Sequence, residues 1–189
     1  MVYLLLGTGF EETEAIAPLD LLRRAGVEVK TVGLNGKIVY GSHNIGIQAD
    51  MQLSELGSAI PEMVILPGGL KGVASIQACP EALALVKSTW EAGSYVAAIC
   101  AAPTILASLG ILEGKSATCY PGCEEKMAGA VLVPQAAAVV DGTIITGTSA
   151  GSAVPFGLTL IRVLKGQEAA DSIQQQIVIR QEEYYAQSR

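Results

Sequence analysis

The first forty residues impose a direction on whatever this chain folds into. "VYLLL" is a short apolar run suited to a buried strand, "TEAIAPLDLLRRAG" carries helical spacing and closes at Gly26, and "VEVKTVGL" returns to a strand pattern. Two strands joined through a helix run parallel, and a parallel sheet needs cover on both faces. The rest of the chain keeps this rhythm. "MVILPGG" is a buried strand that runs into a Pro-Gly-Gly turn, and "PEALALVKSTWEAG" is an amphipathic helix with proline at its start and glycine at its end. "SYVAAI" and "KSATCY" read as strands, with "AAPTILASLG" as a helix between them. Hairpins are expected at "KIVYGSHNIGIQAD", around a Gly-Ser-His-Asn turn, and at "AVLVPQAAAVVDGTIIT", around Asp141 and Gly142. "SAVPFGLTLIRVLKG" and "QEAADSIQQQIVIRQEEYY" close the chain as helices. The expectation is one doubly wound α/β domain over residues 1–189, with its site at the carboxyl ends of the strands.

Composition narrows the partners. Half of the residues are hydrophobic and 16% are charged, which is apolar enough to imply that another subunit covers part of the surface; a homodimer is expected. The net charge of -6 argues against nucleic acid and anionic membranes, since binding to either rests on Lys and Arg. No residue from Ala92 to Leu112 is charged, but Gly93, Pro103 and Gly110 fit a buried strand and helix better than a membrane span. The start "MVYLLLGTGFEE" has no basic segment and too short an apolar run for a signal peptide, so a cytoplasmic location is expected. Cysteines at 79, 100, 119 and 123 show no framework spacing and are expected as reduced thiols. "CYPGC" lacks a second Cys/His pair, so no metal is expected.

The chemistry concentrates at three strand ends. Cys100 stands where a buried strand gives way to a helix, and the helix's free N-H groups and positive end favour a thiolate there. Ala101 and Ala102 leave room for a tight turn, and Pro103 falls where a missing N-H costs nothing. A small buried hydrophobe is the alternative for Cys100. Gly68 and Gly69 expose backbone N-H groups able to receive an oxyanion, or form a plain turn. "GTGFEETE" resembles a phosphate loop, yet it has no lysine, and Glu11, Glu12 and Glu14 repel phosphate. Pro18 cannot donate to the carbonyl of residue 14, which places Glu14 at an irregular helix start facing the crevice of Cys100, with its pKa raised. Alternatively, Glu14 is a solvated first-turn acid.

"GFEETEAIAPLDLLRRAG", "VILPGG" and "AAICAAP", in this order and spacing, resemble the ThiJ/PfpI superfamily, in the branch of the Parkinson-disease-associated protein deglycase and the bacterial YajL-type proteins. The resemblance implies a flavodoxin-like three-layer α/β sandwich with a mostly parallel sheet and added β-hairpins, and a homodimer. It also implies a reactive cysteine at a nucleophile elbow, Cys100, a protonated glutamate against it, Glu14, and a diglycine turn beside both, Gly68 and Gly69. Tyr120 stands where the animal branch has a histidine, and "TSAGSAVPFG" replaces a Gly-Pro-Gly element. His43 matches a hairpin arginine that reaches toward the partner's crevice, or is an exposed turn histidine. Arg24 matches an arginine near the dimer interface, or is a last-turn cation on the helix dipole.

Several functions fit this pattern. One is a cofactor-independent glyoxalase- or deglycase-like enzyme acting on reactive dicarbonyls or their adducts. There Cys100 forms a hemithioacetal, the Gly69 and Ala101 N-H groups steady the oxyanion, and Glu14 moves the proton. Another is a redox sensor or stress chaperone in which Cys100 oxidises to sulfinate. A cysteine hydrolase or amidotransferase needs a histidine at the thiol, which His43 alone can supply. A thiamine-pathway role lacks any residue suited to a thiazole phosphate.

Overall fold

The computed structural model describes residues 1–179. The first strand, β1 (Val2–Leu6), leads through the loop at Gly7–Glu11 into helix α1 (Glu12–Arg24), which Gly26 ends in the left-handed conformation, φ 68°. Strand β2 (Val29–Gly33) follows, then a separate hairpin of β3 (Ile38–Tyr40) and β4 (Gly46–Gln48), and the short β5 (Met51–Gln52). Next come β6 (Met63–Leu66), helices α2 (Leu70–Gln77) and α3 (Pro80–Glu91), strand β7 (Tyr95–Ile99) and helix α4 (Pro103–Ser108). Strands β8 (Ser116–Ala117) and β9 (Val131–Leu132) pair parallel with each other. The chain then runs through β10 (Ala138–Asp141), β11 (Ile144–Gly147), α5 (Ala153–Lys165) and α6 (Gln167–Gln176).

Among the described residues, seven strands form the central sheet in the order β10-β11-β7-β6-β1-β2-β5, parallel throughout except for β10. Alternation along the strands builds two cores. Leu4, Leu6, Ile65, Ala97, Ile99 and Ile145 face α1, α5 and α6, where they meet Leu22, Phe156, Leu160 and Ile173. Leu5, Val64, Leu66, Val96, Ala98 and Ile144 face α2, α3 and α4, where they meet Val73, Ile76, Val86 and Ile105. The protein is therefore a flavodoxin-like α/β sandwich, and the uncharged run from Ala92 to Leu112 supplies a central strand and a covering helix. Among the described residues, no helix is long and apolar enough to cross a membrane.

Some elements differ from their sequence expectation. Helix α1 starts at Glu12, capped by the Glu11 side chain, and continues through Pro18, so Glu14 lies in a regular first turn. Helix α2 has no counterpart among the expected elements. Its Gly72 weakens helical propensity, but a Cβ there would lie 2.6 Å from the Phe10 Cα, so close packing on the loop requires it. "KSATCY" pairs as strand over Ser116 and Ala117 only. The hairpin at Asp141 forms with Gly142 and Thr143 in its turn, while Val131 and Leu132 leave it for β8. Helix α6 ends at Gln176, and the expected continuation from residue 180 onward lies outside the described residues.

Candidate active site

The carboxyl ends of β6 and β7 and the first turn of α1 meet at Cys100. This residue is half-buried and has φ 68°, a left-handed conformation that costs a non-glycine residue strain. Both of its backbone groups are held. Its N-H donates to the Gly147 carbonyl at 2.9 Å, and its carbonyl accepts from the Tyr120 N-H at 2.8 Å. The chain then turns at once, with the Ala102 N-H on the Ile99 carbonyl at 3.1 Å, and Pro103 opens α4.

Glu14 reaches this elbow from α1. It is 1% exposed, and its Oε2 accepts the Gly68 N-H at 2.9 Å. Its Oε1 is buried without a partner of hydrogen-bond geometry among the described residues. Burial raises the carboxyl to about 7; the neighbouring Cys100 thiol opposes the rise, the Glu11 charge adds to it, and the Gly68 N-H opposes it. Gly68 has to lack a side chain: a Cβ there would collide with Glu14 Oε2 and lie 2.7 Å from the Cys100 Cβ. Gly69 takes φ 87° as the chain turns into α2, and the Gly68 carbonyl accepts the Glu11 N-H at 3.0 Å.

The expected low-pKa thiol needs correction. Burial pushes the Cys100 thiol up, and the neighbouring Glu14 carboxyl pushes the same way; the Ala101 and Gly69 N-H groups pull it down without prevailing. Helix α4 is a turn and a half long, too short for its dipole to offset this burial. Each anion disfavours the other, so Cys100 and Glu14 form a pair that keeps at least one proton at neutrality. The sulfur is a thiolate only in the arrangement where Glu14 holds that proton.

The remaining expected site residues divide by position. Tyr120 touches the elbow through its backbone, with its ring half exposed. His43 does not hydrogen-bond to the thiol. Its Nδ1 lies 2.9 Å from Glu12 Oε2, its own N-H donates to Glu12 Oε1 at 2.7 Å, and the Glu12 contact raises its pKa. Arg24 pairs on the exposed face of α1 with Asp20 at 2.7 Å. The loop that resembles a phosphate loop is committed to packing, in keeping with the expectation that it binds no phosphate: the N-H groups of Gly9, Phe10 and Glu11 go to the Tyr40, Gly7 and Gly68 carbonyls.

Two acids have site roles that sequence reasoning did not assign. Glu11 caps α1 by accepting the Glu14 N-H at 2.7 Å and thereby holds the Glu14 backbone in place. An acid directly before an acidic first turn was the available signal. Glu12 fastens the β3–β4 hairpin to α1, taking Ser42 Oγ, the His43 N-H and ring, and the Ile45 N-H. Glu11, Glu12 and His43 place one possible metal-ligating atom each within 4.8 Å of one another. Both Glu12 oxygens are already engaged by the hairpin, so this cluster reads as an anchor.

A mostly parallel sandwich with a strained cysteine at a central strand end, facing a buried carboxyl, defines the cysteine-elbow class of α/β proteins. The match of residues 1–163 to the DJ-1/PfpI family model makes the assignment specific: this chain belongs to the DJ-1/PfpI family. The protein dj-1beta of Drosophila melanogaster is 36% identical over 177 residues, covering 93% of this chain and 95% of that one. The crystal structure of Drosophila DJ-1beta superposes with a TM-score of 0.91 at 35% identity, covering 95% of this chain and 97% of that chain. DJ-1 homolog B of Arabidopsis thaliana is 34% identical over 174 residues, but the chain spans 91% of itself and only 40% of that longer relative. A protein from Pyrococcus abyssi named as a deglycase is 29% identical over 165 residues, covering 87% of this chain and 99% of that one.

Proposed function

We propose that the chain is a cofactor-independent enzyme that converts reactive 2-oxoaldehydes such as methylglyoxal, free or as adducts, to 2-hydroxy acids. The observation that carries this reading is the Cys100–Glu14 pair, a sulfur on a strained elbow against a buried carboxyl raised to about 7. With the shared proton on Glu14, the Cys100 thiolate attacks the aldehyde carbon and Glu14 protonates the resulting alkoxide to give a hemithioacetal. The Gly69 and Ala101 N-H groups, which bear on the sulfur in the free protein, stabilise the negative charge before and during attack. Glu14, now a carboxylate, removes the hydrogen from the former aldehyde carbon and returns it to the adjacent carbon. The thiohemiacetal thereby becomes a thioester with no external oxidant. Water then hydrolyses the thioester, releasing the hydroxy acid and the thiol. A general acid-base matched to neutral pH is what this sequence needs. The deglycase name of the Pyrococcus relative supports the same substrate class.

The functional unit in this reading is a cytoplasmic homodimer over a single domain. Support comes from the exposed Ile38, Tyr40 and Ile45 on the hairpin and from the four free thiols. His43 and Arg24 belong to its cross-dimer surface. Methylglyoxal consumption by the purified protein tests the enzyme reading: Cys100→Ser is expected to abolish it, and turnover that survives the change refutes it.

A second reading rests on the two N-H groups and the acid around the sulfur, which suit the oxygens of a sulfinate equally well. Peroxide titration followed by intact mass is then expected to add two oxygens at Cys100 at doses that leave Cys79, Cys119 and Cys123 reduced. Simultaneous oxidation of all four removes this reading.

A further inference from the structure

Cys100 holds its left-handed conformation through two bonds, and the segments that supply them are fastened to each other by three threonines. The chain from Ser116 to Tyr120 lies along the sheet with alternate N-H groups turned toward it. The Ser116 N-H donates to Asp141 Oδ2 at 2.9 Å, the Thr118 N-H to Thr146 Oγ1 at 2.9 Å, and the Tyr120 N-H to the Cys100 carbonyl at 2.8 Å. In a continued sheet these acceptors would be carbonyls of a neighbouring strand; here two of the three are side chains. Thr146 lies next to Gly147, whose carbonyl takes the Cys100 N-H. The Thr118 hydroxyl lies 3.1 Å from that of Thr148, and Thr148 Oγ1 is hydrogen-bonded to the Ala136 carbonyl. A carbonyl only accepts, so the Thr148 proton goes to Ala136, and Thr118 must be the donor to Thr148. Thr118 and Thr146 are almost fully buried, where no water replaces a lost partner.

We infer that Thr146, with Thr118 and Thr148, is a positioning latch that holds the Cys100 elbow in its reactive conformation by clamping the Tyr120 segment onto the end of β11. This rests on Cys100 as the reacting group. None of the three hydroxyls is shown touching the sulfur; they act through the Tyr120 N-H and the Gly147 carbonyl. Thr146→Val keeps the β-branched shape and removes the acceptor, whereas Thr146→Ser keeps the hydroxyl. Thr89→Val is the control: Thr89 is equally buried, but its hydroxyl bonds the Leu85 carbonyl within α3.

Two measurements test the latch, amide hydrogen exchange at Tyr120 and the rate of Cys100 alkylation by iodoacetamide across pH. Thr146→Val is expected to speed Tyr120 exchange by about tenfold and to slow Cys100 alkylation by about tenfold, as loss of local protection and of geometry requires. Thr146→Ser restores both, and Thr89→Val changes neither. Unchanged Tyr120 exchange in Thr146→Val, or an equal change in Thr89→Val, overturns the latch. If Thr146→Val fails to fold, Thr118→Val removes only the hydroxyl donated to Thr148 and must still speed Tyr120 exchange severalfold; no change there is equally fatal. A wild-type Cys100 inert to iodoacetamide would defeat the proposed function, while the exchange data would still decide the latch.

Discussion

Glu12 and Glu14 stand two residues apart in the same turn of α1, both are buried, and their acidities diverge in opposite directions. Burial works against the charge of Glu12, but the ring and N-H of His43, the helix backbone and the Ile45 N-H together bring it down to about 2. Glu14 receives one backbone N-H, from Gly68, and faces a thiol and the Glu11 charge, so burial prevails and holds it at about 7. Being out of water is thus not what makes a carboxyl useful for moving protons. The number of donors it meets decides whether it remains a fixed anion that ties down a hairpin or becomes an acid poised near neutrality.

The largest effect expected to expose this difference is on turnover. Glu14→Gln keeps the shape and the Gly68 bond but cannot shuttle a proton, so methylglyoxal consumption should fall by about 100-fold or more, whereas Glu12→Gln should cost only a few-fold. Comparable losses from both changes would erase the contrast.

Stability should respond next. The folded pKa of Glu14 lies above its ordinary value of 4.5, so its favourable contribution is complete below pH 4.5 and is lost as pH rises through about 7. Melting curves of the wild type should therefore show a loss on the order of 2–3 kcal/mol over that window, absent from Glu14→Gln. Glu12 has the opposite sign: its contribution is complete above pH 4.5 and is lost as pH falls toward 2.

Alkylation sharpens the comparison at the sulfur. In the wild type the rate should rise with a midpoint where Glu14 titrates, about 7. In Glu14→Gln the midpoint should move to higher pH, because a buried thiol then ionises without a partner to take up its proton. A smaller change is expected from His43→Ala, in which the Glu12 carboxyl titrates closer to its ordinary range by NMR. The least is expected from Arg24→Ala, which breaks an exposed pair and should shift monomer stability by less than about 0.5 kcal/mol in urea unfolding.

Much of the architecture can be read from local pattern. The runs Val2–Leu6, Met63–Leu66 and Tyr95–Ile99 are short, apolar and closed by turns, and they form the centre of the sheet. The elbow was legible for the same reason, since Ala101, Ala102 and Pro103 are residues a tight strand-to-helix turn tolerates. Helix α2 was not, because Gly72 answers to the distant Phe10 backbone. The direction of the Cys100 shift is not legible in the sequence, because the helix end is visible there and burial is not. The acceptors that replace a neighbouring strand beside Ser116 and Thr118, namely Asp141 and Thr146, lie 25 and 28 residues away along the chain, beyond any local signal.

The absent side chain at Gly68 has a consequence for anyone who wishes to silence this protein without touching its reactive groups. A single methyl introduced there would wedge acid and sulfur apart while leaving both in the chain, on a backbone whose φ an alanine can adopt. An intact Cys and Glu in a homologue's sequence is therefore no guarantee of a working pair, and the residue to inspect first is the one that contributes no atoms to the chemistry.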